Sequence, residues 1–453
     1  MDSYKFTQEE WEHCIKVLKE LKEDPFNNPD NQLFSGLVTK IYKKAKKQKG
    51  NEIAKVKREH DMNVLKEATI FNNAMDNKTL YSEGEKKKSK KYKTLHKPKN
   101  CYVCNTEYKQ VHFFYNRLCT KCAEENYDLR FDNVNLEDRN VIITGGRVKI
   151  GYATTLKLLR ARANVTVTTR FPASALEQFK KEKDYDSWKE NLSVYGLDLR
   201  NLKAVKDFIS HYTSLHSSLD ILINNAAQTI KYTDSYYLPL VKKEQELLLN
   251  TEEKYCIANS TSVLQETNLL VSSKEYEDFK INRFGQPVDT RDKTSWNSTL
   301  EEISMYELLE VNLINQISPY FLIKELMPLL KKSSFKKRFI INVTSSEGQF
   351  SYHNKTIFHP HTNMTKAALN MMTRTSGEQF AKEDNVFMYA VDVGWISTGA
   401  KEVLREKQFE RGYIPPLDSV DGASRILHPI IKGIKEKPIL AGTLLKNYKV
   451  ENW

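Results

Sequence analysis

The chain has 453 residues, and its 70 Lys and Arg against 58 Asp and Glu give a net charge of +12. At roughly 150 residues per domain, this length favours two or three structural units. No stretch approaches the roughly 20 apolar residues of a membrane span, and the charged N-terminal sequence contains no secretory signal. The six cysteines are too few for a disulfide scaffold and indicate a reducing compartment. We therefore expect a cytoplasmic protein without a membrane partner.

Residues 1–81 are predicted to form a basic helical region. Trp11, Ile15 and Leu18 recur at helical spacing near its start, and residues 1–100 hold 23 Lys and Arg against 15 Asp and Glu, a net charge of +8. Residues 82–100 carry eight lysines and almost no apolar residues, which favours a solvated linker. The run 86–93 leaves open a nuclear location, and the basic region as a whole leaves open a protein or nucleic-acid partner.

Four of the six cysteines form two CxxC pairs, separated by a 14-residue spacer, in a predicted small module at 101–128. Each pair can bend two thiolates onto one cation, and four thiolates complete the tetrahedral shell that structural zinc prefers. Since the chain supplies all four ligands, no position is open to a substrate, and we expect a structural rather than a catalytic Zn²⁺. The predicted ligands are Cys101, Cys104, Cys119 and Cys122.

From residue 129 onward the pattern is typical of an α/β protein. Short β-branched runs alternate with helical patterns of about ten residues or more; the runs lie at 141–143, 165–168, 221–223, 339–341 and 386–391. This alternation predicts βαβ units and a Rossmann-type doubly wound parallel sheet, with helices on both faces, over residues 129–453.

A glycine turn follows the first predicted strand. Residues 144–151 read TGGRVKIG and lead into a predicted helix, an arrangement that places backbone N–H groups and a helix N-terminus at a pyrophosphate. Together with Asn224-Asn225-Ala226-Ala227, this segment resembles the short-chain dehydrogenase/reductase superfamily, whose first motif is Thr-Gly-x-x-x-Gly-x-Gly. Gly145 and Gly151 match that motif, whereas Lys149 stands where the middle glycine is expected.

The resemblance implies a nicotinamide dinucleotide cofactor, and the residues favour NADP(H) over NAD(H). The second strand ends at Arg170 without the acidic residue that would bind a ribose 2′-hydroxyl, and Arg170 and Arg147 offer two cations to a 2′-phosphate. Asp198 corresponds to the family's aspartate beside the adenine. The cofactor-binding residues implied in this way are Thr144, Gly145, Arg147, Lys149, Ile150, Gly151, Arg170, Asp198, Leu199, Asn225, Lys366, Gly394, Ile396 and Thr398.

The catalytic residues implied by the resemblance are complete except for one. Ser345 corresponds to the serine that hydrogen-bonds the substrate oxygen, Lys366 to the lysine that holds the nicotinamide ribose, and Asn312 to the asparagine of a proton relay. The family's tyrosine should lie four residues before the lysine, one helical turn away on the same face, but Thr362 occupies that position. A threonine hydroxyl is far less acidic than a phenol and cannot simply replace it.

Three interpretations of this departure remain open. His359 or His361 could serve as the acid, because histidine titrates near neutrality; or the substrate or a water could supply the proton while Ser345 and Thr362 orient it. Both predict an NADP(H)-dependent oxidoreductase that reduces a carbonyl or oxidises an alcohol of a small molecule. The third interpretation is a catalytically silent NADP(H)-sensing adaptor, in which the zinc module and the basic region bind a protein or nucleic acid.

Roughly 60 extra residues, at about 230–295, interrupt the Rossmann pattern when it is compared with the family. We expect this insertion above the carboxyl ends of the strands, where substrates bind, as either a substrate lid or a partner-binding arm. The long helical segment at 300–330 implies, by the same resemblance, a homodimer or homotetramer.

Overall fold

The computed structural model describes residues 4–75, 92–250, 280–396 and 402–453, apart from positions 283 and 290, together with positions 81, 83, 84, 86, 257 and 258. The chain divides into two compact units, which comprise residues 1–63 and 64–453. Within the described part of the chain, no helix has the length and apolar character needed to cross a bilayer.

The smaller unit consists of two helices. α1 (Gln8–Glu23) begins at Thr7, whose side chain accepts a hydrogen bond from the Glu10 N–H while the Glu10 carboxylate accepts one from the Thr7 N–H, at 3.2 and 2.7 Å. This reciprocal capping satisfies two amides that a helix start leaves without partners. α2 (Asn31–Lys66) follows, and its last residues belong to the larger unit. Both helices lie within the region predicted to be helical.

The larger unit opens with a small module around the cysteines. It contains α3 (Thr69–Met75), an antiparallel ribbon of β1 (Lys93–Asn100) and β2 (Glu107–Val111), and α4 (Thr120–Arg130). The predicted linker at 82–100 is therefore corrected, because its last 8 residues form β1. Leu95 is buried while the lysines of this strand are exposed, so a ribbon with one solvated face forms despite the lysine-rich composition.

A 9-stranded sheet forms the centre of the larger unit. Its strands run in the order β11-β10-β9-β8-β6-β3-β4-β5-β7 and are parallel except for the edge strand β11. The strand order reverses between β3 and β6, and in such sheets ligands bind beyond the carboxyl ends of the strands at this reversal. The strands are β3 (Asn140–Thr144), β4 (Asn164–Thr169), β5 (Leu192–Gly196), β6 (Ile221–Asn224), β7 (Ile257–Ala258), β8 (Arg338–Thr344), β9 (Val386–Asp392), β10 (Thr443–Lys446) and β11 (Lys449–Glu451).

Helices cover both faces of the sheet, as the alternating sequence pattern predicted. Residues of β3 alternate between two cores: Val141 and Ile143 pack with α5, α6 and α13, and Ile142 packs with α7 and α10. The fold class predicted from the sequence is therefore confirmed. The helices are α5 (Lys149–Arg160), α6 (Pro172–Phe179), α7 (Leu202–Leu215), α8 (Asp234–Asn250), α9 (Met305–Asn312), α10 (Ser318–Lys332), α11 (Pro360–Asp384), α12 (Glu402–Glu410) and α13 (Ser419–Lys435), with a π-helical turn at Leu313–Ile317.

The cysteine module packs onto the Rossmann part of the same unit. Its apolar residues share one core with Ile414 and Leu417, which precede α13. The predicted boundary between separate modules at 101–128 and 129–453 therefore does not describe the packing, because a single compact unit runs from residue 64 to the last residue.

A buried ion-pair network joins the module to α13. The Arg130 guanidinium is fully buried and donates to both Asp418 carboxylate oxygens at 2.7 and 2.8 Å and to Asp421 at 3.0 Å. The Tyr115 hydroxyl donates to the same Asp421 oxygen at 2.5 Å. Burial raises the pKa of Asp421, with Asp418 adding to this effect, while the two nearby guanidiniums of Arg130 and Arg425 oppose it. Both carboxylates therefore depend on Arg130 for their charge balance.

Replacing Arg130 by alanine should lower the free energy of unfolding of the larger unit by about 3–5 kcal/mol, because the fully buried Asp421 carboxylate and the partly buried Asp418 carboxylate lose a counter-charge. Urea unfolding, followed by tyrosine and tryptophan fluorescence, measures this change. Lys203→Ala is the control, since Lys203 pairs with Asp207 on an exposed surface and should cost less than about 1 kcal/mol. Equal effects of the two substitutions would contradict the role of the network.

Candidate nucleotide-binding and catalytic site

The glycine turn lies at the carboxyl end of β3 and is held by its neighbour β6. The Asn225 side-chain amide donates to the carbonyls of Thr144 and Gly145 at 2.9 and 3.2 Å, and the Thr144 hydroxyl accepts from the Asn225 N–H at 3.1 Å. A Cβ at Gly151 would lie 2.1 Å from the Gly145 carbonyl oxygen. Only glycine fits at position 151, so α5 starts in close contact with the turn.

Lys149 has the backbone conformation that a glycine would supply, with φ +55°. Its N–H donates to the Tyr81 hydroxyl at 2.8 Å, and its Nζ lies 5.3 Å from the centroid of the Phe284 ring. The lysine therefore adopts the left-handed turn expected of the family's middle glycine, with its ammonium placed over a residue of the insertion. No sequence pattern indicates Tyr81, which is the last residue of the basic region and directly precedes the lysine-rich segment 82–100.

Two arginines lie together beside the turn. Arg147 is buried, and burial together with the nearby Arg170 lowers its pKa to about 10. Among the described residues, no hydrogen-bond acceptor or ion-pair partner contacts the Arg147 guanidinium, which lies over the Phe171 ring at 5.3 Å. Arg170 lies over the Tyr237 ring at 4.5 Å and donates to the Tyr237 hydroxyl at 3.3 Å. The structure thus brings together the two cations predicted to bind a 2′-phosphate.

The insertion contributes a wall of this site through α8. Tyr236, Tyr237 and Leu240 pack against Phe171, and the Glu244 carboxylate accepts hydrogen bonds from the first amides of α6, at 2.6 and 2.8 Å. Burial raises the pKa of Glu244, although these two hydrogen bonds and the nearby Arg147 act to lower it. No sequence pattern distinguishes Glu244 from the other charged residues of α8. The insertion also adds β7 beside β5, at the edge of the sheet.

The residues predicted beside the adenine lie at the end of β5. Asp198 is buried and accepts hydrogen bonds from the Arg200 side chain, from Nε to both carboxylate oxygens at 3.0 Å and from Nη2 at 2.6 Å. Burial acts to raise its pKa, but the Arg200 contacts prevail and hold the pKa below its usual value. The Leu199 carbonyl accepts from the Ser318 hydroxyl at 2.7 Å. Both residues are therefore engaged within the protein, and the Asp198 carboxylate is ionised and neutralised by Arg200.

Ser345 and Lys366 meet at the carboxyl end of β8. Ser345 directly follows the strand, and the Lys366 ammonium donates to the Val343 carbonyl of the same strand at 2.7 Å. Burial lowers the pKa of Lys366 to about 8, while Glu347 and Asp392 act in the opposite direction. Lys366 is therefore a buried ammonium that can exchange a proton near neutral pH.

Thr362 lies one turn before Lys366 on the same buried face of α11. Its hydroxyl is buried and has no hydrogen-bond partner among the described residues. The two candidate histidines bind backbone carbonyls: a ring nitrogen of His359 contacts the Trp296 carbonyl at 2.8 Å, and one of His361 contacts the Thr229 carbonyl at 2.9 Å. His359 also stacks on Trp296. These contacts tie the start of α11 to the two residues that flank the insertion, and the same His361 nitrogen lies 3.8 Å from a carboxylate oxygen of Glu307.

The helix that carries Asn312 contains a second asparagine with a more central position. The Asn312 side chain donates to the Leu308 carbonyl of its own helix at 2.7 Å. Asn315, in the π-helical turn, accepts from the Gln228 N–H at 2.8 Å and donates to the Thr365 hydroxyl at 3.0 Å. Asn315 therefore joins the loop after β6 to α11. Nothing in the spacing distinguished it from Asn312, because the π turn is not visible in the sequence.

The loop after β9 forms the other side of the cleft. Gly394 has φ +83°, and its N–H donates to the Asp392 carboxylate at 2.9 Å. A Cβ at Gly422 would lie 2.5 Å from an Ile396 methyl and 3.1 Å from Ile150, so these two predicted cofactor-binding residues converge at the start of α13. Thr398 lies outside the described residues.

The four cysteines converge on one point of the module. The sulfur atoms of Cys101, Cys104, Cys119 and Cys122 all lie within 4.8 Å of one another. Two of these cysteines are buried, and the cluster is closed on one side by α4. A compact group of four thiols fits a tetrahedral ion with thiolate ligands.

Several known proteins are similar to this chain. The family model described as short chain dehydrogenase matches residues 139–271, and the model described as enoyl-(acyl carrier protein) reductase matches residues 291–413. An uncharacterized protein of Acanthamoeba polyphaga mimivirus is 33% identical over 342 residues, which cover 73% of this chain and 71% of that protein. The chloroplastic protochlorophyllide reductase of Pisum sativum is 33% identical over 93 residues, covering 20% of this chain and 23% of that protein. Among solved structures, carbonyl reductase Sniffer of D. melanogaster is 17% identical, covers 71% of this chain and 100% of that chain, and gives a TM-score of 0.46.

The matched segments coincide with the sheet and the site described above. They begin at β3, whose glycine turn is tied to β6, and they continue through β8, β9 and α11, which carry Ser345 and Lys366. The order of the strands and the reversal between β3 and β6 agree with the same assignment. The chain belongs to the short-chain dehydrogenase/reductase superfamily, whose members are oxidoreductases.

Proposed function

We propose that the protein is an NADP(H)-dependent oxidoreductase that reduces a carbonyl, or oxidises an alcohol, of a small-molecule substrate. The cleft at the strand reversal is the place for the dinucleotide, with its pyrophosphate at the turn between Gly145 and Gly151. The adenosine half would lie towards β4 and β5, and the nicotinamide half towards β8 and β9.

The observation that carries the choice of NADP(H) is the state of Arg147. A buried guanidinium without a bonded acceptor is costly, and among the described residues Arg147 has none. Arg170 adds a second positive charge next to it. A 2′-phosphate would neutralise both cations and accept their hydrogen bonds, whereas a 2′-hydroxyl could do neither.

The catalytic half of the site supports proton transfer by Lys366. NADPH, when bound, supplies a hydride to the carbonyl carbon, and one proton must reach the carbonyl oxygen to form the alcohol. The Ser345 hydroxyl can donate a hydrogen bond to that oxygen and polarise it. The Lys366 ammonium, with its pKa near 8, can release the proton through a water or a ribose hydroxyl, as the family tyrosine is absent.

We also propose that the cysteine cluster holds one structural Zn²⁺. Its sulfur atoms, grouped within 4.8 Å, would supply the complete ligand set. The metal would fix the ribbon and the start of α4, and it would take no part in the reaction because no coordination position remains open.

Replacing Arg147 by methionine tests the 2′-phosphate assignment. NADPH should bind at least about tenfold more weakly, because a charged hydrogen bond is lost, while NADH binding should change little. The thermal midpoint should not fall, since the substitution removes a buried charge without a bonded acceptor in the free protein. Isothermal calorimetry and thermal unfolding measure the two effects.

Arg139→Met is the matched control for that substitution. Arg139 is also buried, lies over the Phe335 ring at 3.9 Å and donates to the Lys337 carbonyl at 3.0 Å, but it stands at the amino end of β3. The Arg139→Met variant should be less stable than the unchanged protein and should keep the preference for NADPH over NADH. An equal loss of NADPH and NADH binding in Arg147→Met would contradict the assignment.

Replacing Lys366 by methionine should lower the rate of carbonyl reduction by about 100-fold or more, because the proton donor is lost. In the unchanged protein the rate should fall as the pH rises through about 8, since the Lys366 ammonium loses its proton there. NADPH oxidation with a panel of aldehydes and ketones measures both effects. Lys382→Met, on the exposed face of the same helix, is the control. A rate that persists in Lys366→Met, or that is unchanged from pH 7 to pH 9, would show that another group supplies the proton.

A further inference from the structure

We propose that Tyr102, which lies between the first two cysteines, positions the loop Gly394–Ile396 and thereby the nicotinamide half of the cofactor. The inference rests on the proposed function. It assigns to the cysteine module a role in the nucleotide site, whereas the sequence suggested either a metal-binding scaffold or a surface for an external partner.

The Tyr102 hydroxyl contacts the loop directly. It accepts a hydrogen bond from the Trp395 N–H at 2.8 Å. A Cβ at Gly394 would lie 3.2 Å from the same hydroxyl oxygen and 2.7 Å from a methyl of Leu417. The loop backbone therefore packs closely against the Tyr102 hydroxyl, and the absence of a side chain at position 394 permits this approach.

Arg117 of the module holds the same loop through its side chain. Its guanidinium contacts two rings, at 4.9 Å from the centroid of Trp395 and 4.7 Å from that of Tyr413. It also donates to the Ile414 carbonyl at 3.3 Å, and its own carbonyl accepts from the Tyr102 N–H at 3.0 Å. Tyr102 and Arg117 are thus hydrogen-bonded to each other through their backbones, and both contact Trp395, one at its N–H and the other at its ring.

The loop also has contacts outside Tyr102 and Arg117: the Trp395 ring lies near the Tyr413 ring, with 5.9 Å between centroids, and Ile396 packs against the core of the sheet and that of the module. Within the described residues, the Gly394 N–H bonds to Asp392, and Ile396 packs at Gly422. Gly394 has the left-handed conformation, φ +83°, which ends the strand and turns the chain over the cleft. The module therefore supplies the hydrogen bond to the residue that follows this turn.

The position of the loop makes the effect specific for one half of the cofactor. β9 and β4 lie on opposite sides of the reversal between β3 and β6. Arg147 and Arg170, on the β4 side, contact the adenosine phosphate under the proposed function, while the loop after β9 contacts the nicotinamide. A change at Tyr102 should therefore weaken ligands that contain nicotinamide and leave an adenosine bisphosphate unaffected.

The test compares Tyr102→Phe with Tyr108→Phe. Tyr108 is buried in the same module and donates its hydroxyl to the Asn116 carbonyl at 2.8 Å, so both variants lose one hydrogen-bonded hydroxyl of the module. Calorimetric titration with NADPH measures binding of the whole cofactor, and titration with adenosine 2′,5′-bisphosphate measures binding of its adenosine half. The zinc content and the thermal midpoint show whether each variant is correctly folded.

We expect Tyr102→Phe to weaken NADPH binding by about fivefold, as for the loss of one hydrogen bond, with unchanged affinity for the bisphosphate. Tyr108→Phe should bind both ligands like the unchanged protein. Equal losses for both ligands in Tyr102→Phe, or the same NADPH loss in Tyr108→Phe, would overturn the inference and leave the proposed function standing. Failure of the unchanged protein to bind either ligand would overturn both.

Discussion

Arg130 is a fully buried guanidinium that lies between the cysteine module and the first turn of α13, and the organisation of the larger unit depends on it. Of its two aspartate partners, Asp421 is fully buried and also accepts a hydrogen bond from the Tyr115 hydroxyl, and Asp418 is partly buried. Such a network is stable only when all its members are present. It therefore fixes the module against the Rossmann part in one orientation, and this places Tyr102 and Arg117 against the loop after β9.

The cleft proposed for the nucleotide shows the opposite balance, because like charges lie together there and, under the proposed function, a ligand neutralises them. Arg147 is buried beside the guanidinium of Arg170. The Glu244 carboxylate of the insertion accepts hydrogen bonds from the first amides of α6, and its negative charge partly offsets the two guanidiniums. Functional sites commonly depart from the rules that stabilise the rest of a fold. Lys149 is a second departure, as it takes a left-handed conformation at a family glycine position and keeps the shape of the turn.

Much of the fold could be predicted from the sequence, because its signals are local. The β-branched runs predicted β3, β4, β6, β8 and β9, and the glycine turn and the paired asparagines gave the place of the cleft. The structure agrees, since Asn225 binds the carbonyls of Thr144 and Gly145. The cysteine spacing likewise predicted a group of four thiols that can meet at one point.

What could not be predicted depends on contacts between distant segments. Glu244 and Tyr81 reach the cleft from the insertion and from the end of the basic region, where no sequence pattern indicates them, and Asn315 acquires its role from a π turn. The lysine-rich composition of residues 93–100 suggested a linker, but these residues form β1, because strand pairing in a solvated ribbon tolerates lysines. The two histidines had a suitable position for catalysis, but they bind backbone carbonyls of residues that directly flank the insertion, Trp296 and Thr229.

The most direct test of this account is a calorimetric titration of the unchanged protein with NADPH and with NADH. We expect NADPH to bind in the micromolar range and at least about tenfold more tightly than NADH, because only the 2′-phosphate of NADPH can neutralise Arg147 and Arg170. Tighter binding of NADH, or binding of neither nucleotide, would contradict the assignment of the cleft.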